Sequence, residues 1–253
     1  RGVAGRRVVI EERLKGEEIS VLAVCCGTTA VLIGVARDHK RLLDWDLGPN
    51  TGGMGAFSPV LGFGPDEEER VMSRIIVPTL EAMKAEGRAF SGVLYAGLML
   101  TAEGPAVLEY NVRFGDPETQ VILPRLQGDL LPFLLASASG DERKLGELGA
   151  RATLKEETAV CVVMAKEGYP DNYEKGAPIF GLDAAESTHG VLVFHAGTKI
   201  APDGRVVTDG GRVLGVVGTG RTMEEARRNA YRGVSQISFE GATYRRDIGL
   251  RLP

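Results

Sequence analysis

The chain has 253 residues, 43% of them hydrophobic and 25% charged, the balance of an ordinary globular protein with a real core. A formal net charge of -4 argues against a nucleic-acid binder that works through a basic surface, and no apolar run is long enough to span a bilayer. Neither nucleic acid nor membrane is therefore an expected partner. Three cysteines suit a reducing compartment, and a cytoplasmic location is expected. Cys25 and Cys26 are adjacent in a strand pattern, so they should face opposite sides as buried structural thiols; no second pair offers a zinc spacing. The opening Arg1-Gly2-Val3-Ala4-Gly5-Arg6-Arg7 has neither an initiator Met nor a signal-peptide core, and the chain is expected to be truncated at its amino terminus.

In chain order, strands are predicted over residues 7–14, 19–26 after the Lys15-Gly16-Glu17 turn, and 30–37 after Gly27-Thr28. Residues 44–59 break every pattern and are expected to be an irregular loop. A helix follows, capped by Asp66, with Glu67, Glu68 and Glu69 in its first turn. Val71, Ile75, Ile76, Leu80 and Met83 form its apolar face, and Pro78 should bend it. Strands over 92–100 and 106–114 flank the turn Ala102-Glu103-Gly104-Pro105, and helical signals occupy 118–136. The Ser-, Gly- and charge-rich stretch 137–150 marks the expected boundary between a unit over 1–145 and a small strand-rich unit over 150–253. The latter should hold strands at 158–166, 191–199 and 212–217 and a helix over 222–235, opened by a Thr222/Glu225 capping box. The fold class is α+β, with a mainly antiparallel sheet.

Three segments could carry chemistry. Glu109, Asn111 and Arg113 alternate along a strand and share a face. A carboxylate and an amide oxygen two residues apart can hold Mg²⁺ together with water and nucleotide phosphates, and Arg113 could neutralise a phosphoryl group. Spacing alone also fits a half-exposed strand with a polar outer face, although here it ends in a rigid Arg113-Phe114-Gly115-Asp116-Pro117 corner. The second segment is Gly48-Pro49-Asn50-Thr51-Gly52-Gly53-Met54-Gly55, whose glycines could expose consecutive N–H groups to an anion or admit a ligand closely. It is neither a P-loop nor a dinucleotide fingerprint, and a flexible connection fits it equally. Asp38-His39-Lys40-Arg41 just before it adds cations. The third segment, Val8-Val9-Ile10-Glu11-Glu12-Arg13-Leu14 running on to Glu18, could offer backbone to an adenine edge and carboxylates to ribose, or be an acidic strand end. His189 and His195 read as structural, and no motif suggests covalent nucleophilic catalysis.

Taken together these strings resemble the glycinamide ribonucleotide synthetase family of the ATP-grasp superfamily. The resemblance rests on Asp38-His39-Lys40-Arg41, on Gly48 to Gly55 followed by Ala56-Phe57-Ser58-Pro59, on Tyr95-Ala96-Gly97-Leu98, and on Glu109 to Gln120. Further along it includes Gly168-Tyr169-Pro170, Phe194-His195-Ala196-Gly197-Thr198, Gly210-Gly211-Arg212-Val213-Leu214 and Tyr244-Arg245-Arg246-Asp247-Ile248-Gly249. It implies the carboxy-terminal part of an ATP-grasp fold followed by a small strand-rich domain.

The implied activity is an ATP-dependent ligase of purine biosynthesis that joins glycine to 5-phosphoribosylamine, through a glycyl phosphate intermediate, with release of ADP and phosphate. By the same resemblance, Glu11, Glu12, Arg13 and Leu14 would meet adenine, Glu18 ribose, and Arg41 and Asn50 the rest of the nucleotide. Glu109 and Asn111 would bind Mg²⁺ or Mn²⁺, Thr51, Gly52, Gly53, Met54 and Gly55 would face substrate, and Arg113 and Asp116 would lie where the substrates meet. The strand over 95–100 offers no acid, so protein ligation of the metal would rest on a single carboxylate. Family members also carry an amino-terminal domain and most of an ATP lid ahead of this region. That domain is the implied partner, and the fragment alone is expected to be inactive. The alternatives are another ATP-grasp ligase or carboxylase, or a non-catalytic nucleotide-binding remnant.

Overall fold

The computed structural model describes residues 8–250. The run Ile19-Ser20-Val21-Leu22-Ala23-Val24-Cys25-Cys26 is buried on both faces, as a central strand must be. It forms most of β1 (Glu17–Gly27), which pairs antiparallel with β2 (Thr29–Asp38) on one edge. A small hairpin follows, β3 (Arg41–Leu43) and β4 (Leu47–Asn50) around the turn Asp44–Asp46, and then the four-residue β5 (Gly55–Ser58). Helices α1 (Pro65–Val71) and α2 (Val77–Ala85) run through a π turn at Met72–Ile76. The hairpin of β6 (Phe90–Thr101) and β7 (Gly104–Asn111) pairs with the other edge of β1. Next come α3 (Glu118–Ile122), β8 (Leu126–Gln127), α4 (Leu131–Ser139), α5 (Glu142–Gly149) and β9 (Thr153–Leu154). The last stretch holds β10 (Thr158–Lys166), α6 (Leu182–Glu186), β11 (Val191–His195), β12 (Thr198–Ile200) and β13 (Val206–Thr208). It closes with β14 (Arg212–Gly220), α7 (Met223–Val234) and β15 (Ala242–Thr243).

Most strands join one sheet, in the order β11-β14-β10-β5-β2-β1-β6-β7, with β15 on β10. Alternation sorts the side chains. Ile19, Val21, Ala23 and Cys25 face α1 and α2 through Val71, Ile76 and Leu80. Leu22, Val24 and Cys26 face Val121, Ile122, Phe133 and Leu145 of α3, α4 and α5. That second layer continues under Ala159, Cys161 and Val163 of β10, while Val160, Val162 and Met164 turn the other way onto Ala226, Ala230 and Val234 of α7. Each such aliphatic side chain contributes roughly 1.5–3 kcal/mol by leaving water. The two adjacent thiols do face opposite sides, and burial pushes Cys25 up to about 12 and Cys161 upward as well.

Several expectations are corrected. Residues 8–14 form no strand, and Arg7 lies outside the described residues; Val8, Val9 and Ile10 are 75%, 81% and 93% exposed. Strand propensity without a partner edge does not make a strand. The supposed irregular stretch 44–59 contains β4 and β5, and β5 pairs with both β2 and β10. Consequently the later strands extend the same sheet as Glu109 and Asn111 instead of building a separate one. Residues 137–150, the expected boundary, are themselves ordered: Asp141 caps α5 by accepting from the Lys144 N–H, Leu145 is buried, and Ser137 donates to the Cys25 carbonyl at 2.6 Å. Gly64, not Asp66, precedes α1, with its N–H donating to Glu67. The helix over 118–136 is interrupted at Pro124 by a 3₁₀ turn and β8. The strand over 191–199 is broken at Ala196 and Gly197, where a Cβ on Gly197 would lie 2.5 Å from the Gly210 Cα. Helix α7 starts and stops within one residue of expectation, with Thr222 accepting from the Glu225 N–H; the Glu225 carboxylate accepts from Arg221.

Candidate active site

The end of β2, the start of β1 and the β3–β4 hairpin enclose a cleft of about 360 Å³. Glu18, Arg41 and Asn50, three of the residues predicted to meet nucleotide, line it together with Asp38, His39, Lys40 and Met99. Arg41 and Asn50 are register partners across the hairpin, and Arg41 donates to the Gly48 carbonyl at 2.7 Å. Lys40 pairs with Glu18. Burial alone would lower the Lys40 pKa, but the Glu18 carboxylate, helped by Asp38 and Glu109, raises it, so Lys40 stays a cation. Glu11, Glu12, Arg13 and Leu14 are not brought in: the lining begins at Gly16. A larger cavity of about 850 Å³ opens near the other end of β2, but none of the sequence-predicted site residues faces it.

Glu109 and Asn111 share a face of β7, as alternation requires, opposite Gly97 and Tyr95 of β6. The Asn111 amide donates to a Glu109 carboxylate oxygen at 3.1 Å. Arg113, just past the strand, is exposed, donates to its neighbour's carbonyl, and sits 6.0 Å from the Tyr95 ring centroid. Among the described residues no group of three or more His, Cys, Asp or Glu could hold a metal ion. Two oxygen donors side by side still suit Mg²⁺, which keeps waters and takes phosphate oxygens as ligands. The residues present fit such an ion.

A second carboxylate that sequence reasoning missed lies behind this strand. Glu118 is buried and accepts from Ser20 and from Tyr95, each at 2.9 Å. Beside it, Asp38 has a buried oxygen without a hydrogen-bond partner. Burial first, then the Glu118 charge, push the Asp38 carboxyl well above the usual carboxylate range. Asp38 has no role in the sequence reading beyond introducing a cationic run; only the fold shows that one of its oxygens is shut off from solvent.

The Gly-rich loop is built differently from expectation. The Thr51 N–H donates to the Lys40 carbonyl, Gly52 to the Tyr169 hydroxyl, Gly53 to the Thr51 hydroxyl and Met54 to the His39 carbonyl. All four donors are spent, so this is no anion nest. Gly53, Met54 and Gly55 are buried, whereas Gly48 to Gly52 reach the surface. Gly53 has φ +111°, and a Cβ there would lie 2.5 Å from Pro117 Cδ and 2.8 Å from Asp38 Oδ1. Its glycine serves a close approach within the protein. Asp116 also has partners: Gln120 donates to one carboxylate oxygen at 3.0 Å and Arg212 to the other at 3.3 Å.

The hairpin is fixed from far along the chain. Arg245 is 1% exposed and grips Asp247 with two donors, at 2.8 and 2.6 Å. It also donates to Asp46 at 2.8 Å and to the Arg41 carbonyl at 3.0 Å. Trp45 donates from its backbone to Asp247 at 2.8 Å, and Trp45 and Asp46 hold φ of 59° and 53°. Non-glycine residues persist there only because this ion network over-determines them.

Comparison with known proteins agrees with this geometry. Residues 1–119 match the family description "Phosphoribosylglycinamide synthetase, ATP-grasp (A) domain" and residues 159–251 match its C domain. The chain is 52% identical over 250 residues to the phosphoribosylamine–glycine ligase of Caulobacter vibrioides, covering 99% of this chain and 57% of that protein. It is 48% identical to the chloroplastic phosphoribosylamine–glycine ligase of Arabidopsis thaliana, covering 47% of it. The crystal structure of the Thermotoga maritima phosphoribosylamine–glycine ligase superposes with a TM-score of 0.79 at 42% identity, over 94% of this chain and 56% of that one. A biotin carboxylase domain from Hydrogenobacter thermophilus, solved with MgADP and bicarbonate, superposes at a TM-score of 0.60 but only 12% identity, which shows the shared fold alone. The chain thus spans little more than half the length of the bacterial ligases it matches. With matches to both of its domains and about half of all residues identical to its relatives, the chain belongs to the phosphoribosylglycinamide synthetase family.

Proposed function

We propose that this chain supplies the phosphoryl-transfer wall of a ligase that joins glycine to 5-phosphoribosylamine with ATP, releasing ADP and phosphate by way of glycyl phosphate. The observation that carries the reading is the convergence of Glu18, Arg41 and Asn50 on one cleft. Nucleotide would enter this cleft with its phosphates toward β7. Glu109 and Asn111 would hold Mg²⁺, or Mn²⁺ on the same donors; the ion would neutralise phosphate charge when bound. Arg41 and Arg113 would supply the cations that neutralise phosphate charge. Catalysis of this kind rests on positioning and charge more than on a covalent enzyme group.

The partnerless Asp38 oxygen beside the loop suits the cationic amine of glycine. A buried carboxylate with no donor is costly until a cation arrives, so substrate binding would restore its ionised form. Three buried free cysteines fit a reducing compartment such as the cytoplasm. Among the described residues no helix is long and apolar enough to cross a membrane.

The test is ADP release that requires both glycine and 5-phosphoribosylamine, measured for the 253 residues alone and for the same residues supplied with the remainder of the Caulobacter vibrioides relative. We expect turnover only in the second case. Absence of turnover in both, with both proteins folded, would overturn the ligase reading.

A further inference from the structure

Arg212 opens β14 in the second half of the chain, yet its guanidinium reaches across to two distant segments of the first. One nitrogen, Nη1, donates to the Gly52 carbonyl at 2.6 Å, to the Asp116 carbonyl at 2.8 Å and, more weakly, to the Gly53 carbonyl at 3.4 Å. The other, Nη2, donates to the Asp116 carboxylate at 3.3 Å. From the same half, the Tyr169 hydroxyl accepts from the Gly52 N–H at 3.0 Å. Tyr169 lies flat against the backbone just before Arg212: a Cβ on Gly211 would come within 2.3 Å of its ring.

We propose that Arg212 and Tyr169 are positioning residues that set the Gly-rich loop against Asp38 and Asp116. A tyrosine oxygen accepts from the Gly52 N–H while the guanidinium donates to the Gly52 carbonyl, so both polar groups of this one exposed glycine are held from the other half of the chain. Together they fix the peptide planes on either side of Gly52. A planar fork with one nitrogen on the Gly52 and Asp116 carbonyls and the other on the Asp116 carboxylate is a geometry lysine cannot copy. Holding Gly53 in place keeps the partnerless Asp38 oxygen covered on that side, 2.8 Å from where a Cβ would be. The ligase reading enters only in naming what the loop faces; the brace itself rests on these contacts.

The test is residue-resolved amide hydrogen exchange on the 253-residue chain, with no substrate present, so it decides the brace whether or not the ligase reading stands. In Arg212→Gln we expect exchange at Gly52 and Gly53 to quicken about tenfold or more, while the amides of β14 and β10 stay within about twofold of the parent. Tyr169→Phe should quicken Gly52 selectively. Arg212→Lys, which keeps the charge but loses the fork, should leave most of the acceleration in place. Unchanged loop exchange in Arg212→Gln would overturn the proposal. Equal acceleration along β14 would do so too, because the arginine would then serve strand stability alone. Full recovery with lysine would reduce its role to charge and overturn the positioning role.

Discussion

On the loop side of the cleft, Gly53, Met54 and Gly55 are buried and every backbone N–H from Thr51 to Met54 has an acceptor. On and just past β7, Glu109 and Arg113 are exposed at a sheet edge, and their hydrogen bonds go to residues one or two positions away. The two walls solve different problems. A charged sheet edge without long-range partners keeps its groups in water, which suits the proposed role of meeting an ion and phosphates. A wall that must shape a small pocket is assembled in advance, so ordering it costs nothing at the moment of binding. Stability and binding should therefore separate under mutation.

The sharpest way to break this contrast is on the pre-assembled side. Asp247→Ala leaves Arg245 buried and without its bidentate partner, and should cost about 3–5 kcal/mol in chemical denaturation. A loss under 1 kcal/mol would mean the hairpin does not depend on that network. Gly53→Val places a branched side chain at φ +111°, against Pro117 and Asp38, and should cost about 2–4 kcal/mol as well as activity. Normal thermal unfolding of that variant would show the loop to be far looser than its contacts imply.

Asp38→Asn sharpens the comparison from the other direction. The folded pKa of Asp38 is raised, so its contribution to stability is present below about pH 4, its unfolded value, and is lost as pH rises through the folded value. The neutral isostere should thus melt a few degrees above the parent at pH 8, and the gap should close toward pH 4, while glycine-dependent turnover in the completed ligase falls. A gap that does not change with pH would remove the buried charge as its cause. The smallest stability effect belongs to the open wall: Glu109→Ala should change unfolding free energy by no more than about 0.5 kcal/mol. It should nevertheless abolish Mg²⁺-dependent nucleotide binding. Trp45, the single tryptophan, stands on the hairpin beside Arg41 and Asn50 and offers the fluorescence readout.

The open wall was legible in the sequence, because Glu109 and Asn111 are two residues apart on a strand and alternation alone places them. Helix α7 was legible for a similar reason: its cap and its apolar stripe are local. What the sequence hid acts at long range. Arg212 meets Gly52 across 160 positions and Arg245 meets Asp46 across 199, and no periodicity announces either pair. Residues 8–14 misled in the opposite sense, since Val8-Val9-Ile10 has strand composition but no strand edge to join. The same holds for 137–150, where a Ser- and charge-rich composition concealed Leu145 and a capping Asp141. For β5, a Gly-rich approach masked a buried strand.

That short strand has a mechanical consequence. Chain leaving Met54 runs straight into β5, which shares two register pairs with β2 and four with β10. A shearing load that pulls β1, β2, β6 and β7 away from β10 and β14 meets its weakest seam between β2 and β5. One of the two stitches there is Asp38 to Ala56, directly beside Gly53. A ligand held in the cleft that Asp38 lines would brace that stitch from one side, so occupancy should raise the force needed to tear the molecule open.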